Sequence, residues 1–251
     1  MSCESHNTGV VSSGTAAWHI ADTVVKRASS GATHRLLLDI WRRIERDRYL
    51  AETVRTLEEA VEHGQPYWDL CCALAAYTEL YLPERYLEIG VRQGRSVAVV
   101  AAIRPEVDLY LFDMWYPDYA GEANPGPDFV RGQLECVGHR GRAHFVTGRS
   151  QQTIPAFFAD GRRPGAFPLI TVDGDHRDEG ARKDLDNVVA HLAPGGMLVF
   201  DDITHAEYPT LRDTWRGFLS EHPDFSDREN TRDATGTAIA ISPTNGGATC
   251  A

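Results

Sequence analysis

Two acidic clusters, 28 positions apart from Asp173 to Asp201, each close a short apolar run. Leu169-Ile170-Thr171-Val172 leads into Asp173-Gly174-Asp175-His176, and Met197-Leu198-Val199-Phe200 leads into Asp201-Asp202. Aliphatic and β-branched runs that stop abruptly at carboxylates read as buried parallel strands whose C-terminal ends open into a site. Between them Ala181, Leu185, Val188, Val189 and Leu192 recur at helical spacing, and Pro194-Gly195-Gly196 is read as the stop of that helix. A right-handed strand–helix–strand crossover sets the two strands parallel. It brings Asp173, Asp201 and Asp202 to one edge of the sheet, where open α/β sheets bind ligands. Carboxylates meeting at ~4 Å repel by ~4 kcal/mol per pair at an effective dielectric near 20. A divalent cation relieves that repulsion, and an all-oxygen donor set favours Mg²⁺, Ca²⁺ or Mn²⁺ over zinc. The expectation is a hard-metal active site.

Strand candidates at Arg85–Ile89, Val107–Asp113, His144–Thr147, Pro168–Val172, Met197–Phe200 and Thr237–Ile241 alternate with helical stretches at 95–103, 127–138, 151–159, 180–193 and 208–220. This alternation means an α/β domain with a mostly parallel sheet. Ahead of it, residues 35–63 and 67–81 read as helices that cap the sheet, and residues 1–31 as a flexible tail rich in Ser, Gly, Thr and Ala. The expected divisions are 1–31 tail, 32–83 helical cap and 84–251 main domain. The segment 115–128, with three prolines and two glycines, is a long loop suited to substrate contact.

The first strand turns into a helix through Glu88-Ile89-Gly90-Val91-Arg92-Gln93-Gly94-Arg95-Ser96. Gly90 and Gly94 allow close backbone approach to a ligand, and the helix N-terminus offers N–H groups to an anion. The spacing is G-x-x-x-G, so the dinucleotide fingerprint and the P-loop lysine are both absent. A tight strand–helix turn explains the glycines equally well. Asp113, closing the next strand, is placed to accept from ribose hydroxyls, or else is a helix cap. Ser150-Gln151 after the third strand is a ligand contact or a helix cap. Together these strand ends outline a nucleoside-shaped site beside the acidic cluster.

The chain of 251 residues carries a formal net charge of −11, which argues against nucleic-acid and anionic-membrane partners. Five cysteines without metal-type spacing fit reduced thiols in a cytoplasmic protein. No signal peptide and no apolar run of ~20 residues is evident, so neither secretion nor a membrane span is expected.

These residues resemble the metal-dependent class I S-adenosylmethionine O-methyltransferases over about Arg85 to Ile241, most closely the macrocin-type sugar O-methyltransferases and cephalosporin-hydroxylase-like enzymes of antibiotic biosynthesis. The resemblance implies a Rossmann-like, doubly wound, mostly parallel seven-stranded sheet with an antiparallel final strand. It implies S-adenosylmethionine held by Glu88, Gly90, Gly94, Ser96, Asp113, Ser150, Gln151 and Asp173, and Mg²⁺ or another hard cation held by Asp173, Asp201 and Asp202. His176 stands where the catechol type has Lys and Asp202 where it has Asn, and both departures point to the sugar-modifying branch. His176, with an unperturbed pKa near 6.5, is the expected catalytic base for a small-molecule acceptor hydroxyl. A homo-oligomer is expected. The alternatives are a catechol or phenol acceptor and a non-catalytic cofactor-binding subunit; an NAD-linked oxidoreductase is disfavoured by the missing glycine fingerprint.

Overall fold

The computed structural model describes residues 13–44, 48–118, 121, 124–159, 164–232 and 235–245. Four helices come first: α1 (Ser13–Ala28), α2 (Gly31–Trp41), α3 (Arg48–His63) and α4 (Leu70–Tyr81). Then follow β1 (Arg85–Ile89), α5 (Arg95–Ile103), β2 (Asp108–Asp113), α6 (Pro127–Val137), β3 (Ala143–Thr147), α7 (Ser150–Ala159), β4 (Phe167–Val172), α8 (Asp178–Val189), β5 (Leu192–Asp201), α9 (Leu211–Glu221), β6 (Ser226–Asn230) and β7 (Thr237–Ile241).

The strands form a seven-stranded sheet in the order β3-β2-β1-β4-β5-β7-β6. Neighbours from β3 to β5 run parallel, while β7 is antiparallel to both β5 and β6. Winding reverses between β1 and β4, and that reversal opens the crevice where such sheets bind ligands. Side chains alternate across the sheet. Leu169, Met197 and Val199 face one core with Trp41, Leu74 and Val97. Ile170, Leu198 and Phe200 face the other with Leu185 and Trp215. Burial on both faces is why β2, β4 and β5 contain apolar runs.

Four expectations need correction. Of the expected tail, residues 13–28 form α1, and 1–12 lie outside the described residues. Ala17, Ala21, Val24 and Ala28 are fully buried in one stripe, where small side chains let the helix pack closely. Arg27 pairs with Glu79 at 2.8 Å, tying α1 to α4. The helical segment 35–63 is two helices, α2 ending at Trp41 and α3 starting at Arg48. Pro194-Gly195-Gly196 does not stop α8, which ends at Val189; the three residues lie within β5, beside a register shift in its pairing with β4. Finally, β6 is a strand that periodicity does not reveal. Its sequence, Ser-Asp-Arg-Glu-Asn, is that of a polar sheet edge. Among the described residues no helix is long and apolar enough to cross a membrane.

Candidate active site

The site is assembled from the C-terminal ends of β1, β2, β4 and β5. At the end of β1, Gly90 has φ +87°, and a Cβ there would lie 1.6 Å from the carbonyl oxygen of Asp173. Asp173 N donates to Ile89 O at 2.9 Å. Gly90 is therefore required by the backbone crossing of the β1 and β4 ends themselves. Gly94, also at positive φ, is the N-cap of α5 and offers its first-turn N–H groups no side-chain acceptor. Ser96 faces inward: its Oγ donates to Glu88 Oε1 at 2.5 Å. The Tyr86 hydroxyl bridges Glu88 Oε2 at 2.6 Å and Thr171 Oγ1 at 2.8 Å. Glu88 is buried, and burial outweighs these hydrogen bonds, pushing its carboxyl up to about 8.

Asp113 sits at the end of β2. Its Oδ2 accepts from Arg92 N at 2.7 Å and its Oδ1 from Trp115 N at 2.5 Å, which fastens the glycine loop to the loop after β2. Each oxygen keeps accepting capacity for a hydroxyl. Ser150 and Gln151 open α7, and both turn to a residue that sequence reasoning passes over. Ser150 Oγ and Gln151 Nε2 donate to Oδ2 of Asp184 in α8, at 2.9 and 3.1 Å. Asp184 is fully buried, and burial pushes its carboxyl up to about 7.

Across the crevice, His176 Nε2 lies 2.7 Å from Asp202 Oδ2 and 3.7 Å from Asp173 Oδ1. One donor atom from each of these three residues falls within 4.8 Å of the others. Asp202 reaches inward because its backbone is left-handed, with φ +64°. Burial alone would lower the His176 pKa, but the carboxylates of Asp173 and Asp202 beside it outweigh burial and raise the value to about 10. With both carboxylates ionised and no cation between them, the protonated imidazole is the favoured form. Tyr208 stacks on it at 4.8 Å and 21°, and His205 tilts against Tyr208 at 5.1 Å.

Asp201 lies at the same strand end, where its carboxyl feels Asp202 and Asp173. It is the last residue of β5, in register with Thr237 of β7, whose Oγ1 donates to its Oδ1 at 2.5 Å. The cation-capable group among the described residues is Asp173, His176 and Asp202. Two carboxylates and one imidazole fit a divalent cation, with imidazolium supplying the positive charge in its place, but the donor set is no longer all oxygen. Arg95, at the start of α5, adds a half-buried positive charge that feels Asp69, Asp201 and Asp173, and it donates to Thr53 Oγ1 at 3.2 Å. Asp184, Thr237 and Tyr208 escape sequence reasoning because each contact joins segments far apart in the chain. Arg95 stands inside the glycine motif, and its charge at a helix start is the signal that marks it.

Residues 87–203 match the family model for a methyltransferase domain. This stretch is similar to a methyltransferase domain and spans a little under half of the chain. It contains every candidate residue from Glu88 to Asp202 and ends one residue beyond the acidic pair. The fold is shared with solved O-methyltransferases and a related methyltransferase. The O-methyltransferase of Bacillus cereus in complex with SAH is 16% identical, with a TM-score of 0.54 over 79% of this chain and 92% of that one. TomG of Streptomyces achromogenes, an O-methyltransferase of tomaymycin synthesis in complex with SAM, is 19% identical, with a TM-score of 0.52 over 80% and 92%. The calicheamicin methyltransferase CalS11 is 18% identical, with a TM-score of 0.53 over 83% and 91%. No curated protein matches the sequence significantly.

Proposed function

We propose that this chain is an S-adenosylmethionine-dependent O-methyltransferase for a hydroxyl of a small natural product, foremost a (deoxy)sugar of antibiotic biosynthesis, assisted by Mg²⁺ or another hard divalent cation. The observation that carries this reading is the cluster of Asp173, His176 and Asp202 facing the β1 and β2 ends across the sheet's winding reversal. The neighbours bound to SAM or SAH support the cofactor, and those named for calicheamicin and tomaymycin support a natural-product acceptor.

Glu88, Gly90, Gly94, Ser96, Asp113, Ser150, Gln151 and Asp173 make up the cofactor wall in this reading. The uncapped start of α5 accommodates the amino-acid carboxylate, and Asp113 accepts from the ribose. In this reading Asp173 and Asp202 hold the cation; bound there, it would acidify the acceptor hydroxyl and orient it. Neutralising the two carboxylates also removes the charge that keeps His176 protonated. Its Nε2 can then accept the hydroxyl proton as the oxygen takes the methyl group. A homo-oligomer belongs to the proposal, supported by exposed Leu80, Tyr81 and Leu82 at the end of α4; light scattering reads it.

The test is mass spectrometry of sugar-bearing natural products and phenols incubated with the protein, S-adenosylmethionine and Mg²⁺, looking for one added methyl group. Absence of calorimetric binding by either S-adenosylmethionine or its demethylated product would sink the reading. A phenolic acceptor is the second reading, favoured by the firmly held His176 proton: phenols need the least help from a base.

A further inference from the structure

Among the described residues, Asp184 is the buried carboxylate near the crevice that neither the cofactor wall nor the cation group uses. It lies on the apolar stripe of α8 with Ala181, Leu185 and Val188, where an aliphatic side chain would bury without desolvating a charge. Its hydrogen bonds join two separate walls. Oδ2 accepts from Ser150 Oγ at 2.9 Å and Gln151 Nε2 at 3.1 Å, both in the first turn of α7. On the other side, a Cβ at Gly174 would sit 3.4 Å from the same oxygen, so Asp184 also packs under the loop that carries Asp173 and His176. The backbone N–H of Asp175, in that same loop, favours the ionised form of Asp184. Gln151 is further held by Gly180 O at 3.4 Å.

We propose that Asp184 is a positioning residue for the cofactor: one carboxylate oxygen fixes Ser150 and Gln151 against the β4–α8 loop, setting the nucleoside wall and the catalytic loop as one unit. The inference rests on the reading of Ser150 and Gln151 as the adenine side of the cofactor site.

Calorimetric titration of the demethylated cofactor product, with steady-state kinetics, tests it on the full chain. Asp184→Asn keeps the shape and removes the charge; Asp184→Leu restores the apolar stripe and keeps the helix packed. Both variants should bind the product roughly tenfold or more weakly, the weight of the hydrogen bonds lost or turned across this link. The KM for S-adenosylmethionine should rise by more than kcat falls, and melting temperatures should not fall. In a Ser150→Ala background, Asp184→Asn should cost little further affinity, because the two changes break one link. Unchanged affinity in both Asp184 variants, or fully additive losses in the double variant, overturns the proposal. If Asp184→Leu does not fold, the Asp184→Asn and Ser150→Ala pair decides alone. Failure of the unmodified protein to bind the product would instead refute the methyltransferase site itself.

Discussion

Replacing Glu88 by glutamine should flatten the pH dependence of folding stability by a calculable amount. Glu88 ionises near 4.5 when exposed and near about 8 in the fold, because burial outweighs the hydrogen bonds from Ser96 and Tyr86. Between those values the folded protein holds a proton that the unfolded chain has released. Its stabilising effect is complete below pH 4.5 and disappears as pH rises through 8. Over that window stability falls by about 1.4 kcal/mol per pH unit from this group alone. Asp184 acts in the same sense between 3.8 and about 7, His176 between 6.5 and about 10, and Asp173 and Asp201 lean the same way. Those contributions are common to wild type and variant and largely cancel in the comparison. The carboxamide introduced by Glu88→Gln would still accept from Ser96, and Tyr86 can accept from its NH₂ group while donating to Thr171, so the variant should fold. Urea unfolding at pH 5.5 and 7.5 in EDTA should show wild type losing roughly 2.7 kcal/mol more than Glu88→Gln. Parallel stability profiles would refute the claim that Glu88 is held protonated by burial.

Gly90→Ala should be severely destabilising, since it combines positive φ with a Cβ 1.6 Å from Asp173 O; a loss above ~4 kcal/mol or an insoluble product is expected on expression and thermal melting. Chelation should abolish turnover and Mg²⁺ restore it, with Asp202→Ala raising the Mg²⁺ requirement roughly tenfold or more. Asp201→Asn, which still accepts from Thr237, should leave that requirement nearly unchanged; the reverse ranking in a Mg²⁺ titration would return Asp201 to the ligand set. His176→Ala should lower turnover by roughly 10²–10⁴-fold with cofactor affinity retained, and near-wild-type turnover would favour the phenolic acceptor.

The legible parts of this fold are those where one local pattern decides the outcome. The apolar runs ending in Asp113, Asp173 and Asp201 mark buried strands because both of their faces are covered, and the helices between them keep a 3.6-residue period. The edge strand Ser226–Asn230 has no such run, and only pairing with β7 makes it a strand. Helix α1 hides behind alanines, whose burial depends on how closely another surface approaches. In the site, sequence spacing brings both acidic clusters to one edge but cannot say which carboxylates meet. That depends on a left-handed turn at Asp202 and on Thr237, 36 positions beyond Asp201, whose hydroxyl occupies one oxygen of Asp201. The glycines are visible in the sequence and their reason is not, because Gly90 answers to a backbone oxygen 83 positions away.

What links stability to function is the sign shared by four carboxyls, those of Glu88 and Asp184 buried and those of Asp173 and Asp201 partly so. Burial raises Glu88, Asp173, Asp184 and Asp201 together, and all four lie at or just beneath one edge of the sheet. Each weakens the fold as the pH approaches neutrality, and an aliphatic core there would not. Arg95 and the imidazolium of His176 offset only part of that negative potential. A site that concentrates carboxylates in this way gains most from cationic ligands, which favour the ionised forms and restore the lost stability on binding. A sulfonium cofactor bearing an ammonium group and a divalent metal are both cations. Their combined binding would turn an unfavourable acidic edge into the stabilised centre of the enzyme, and would release protons as it did so.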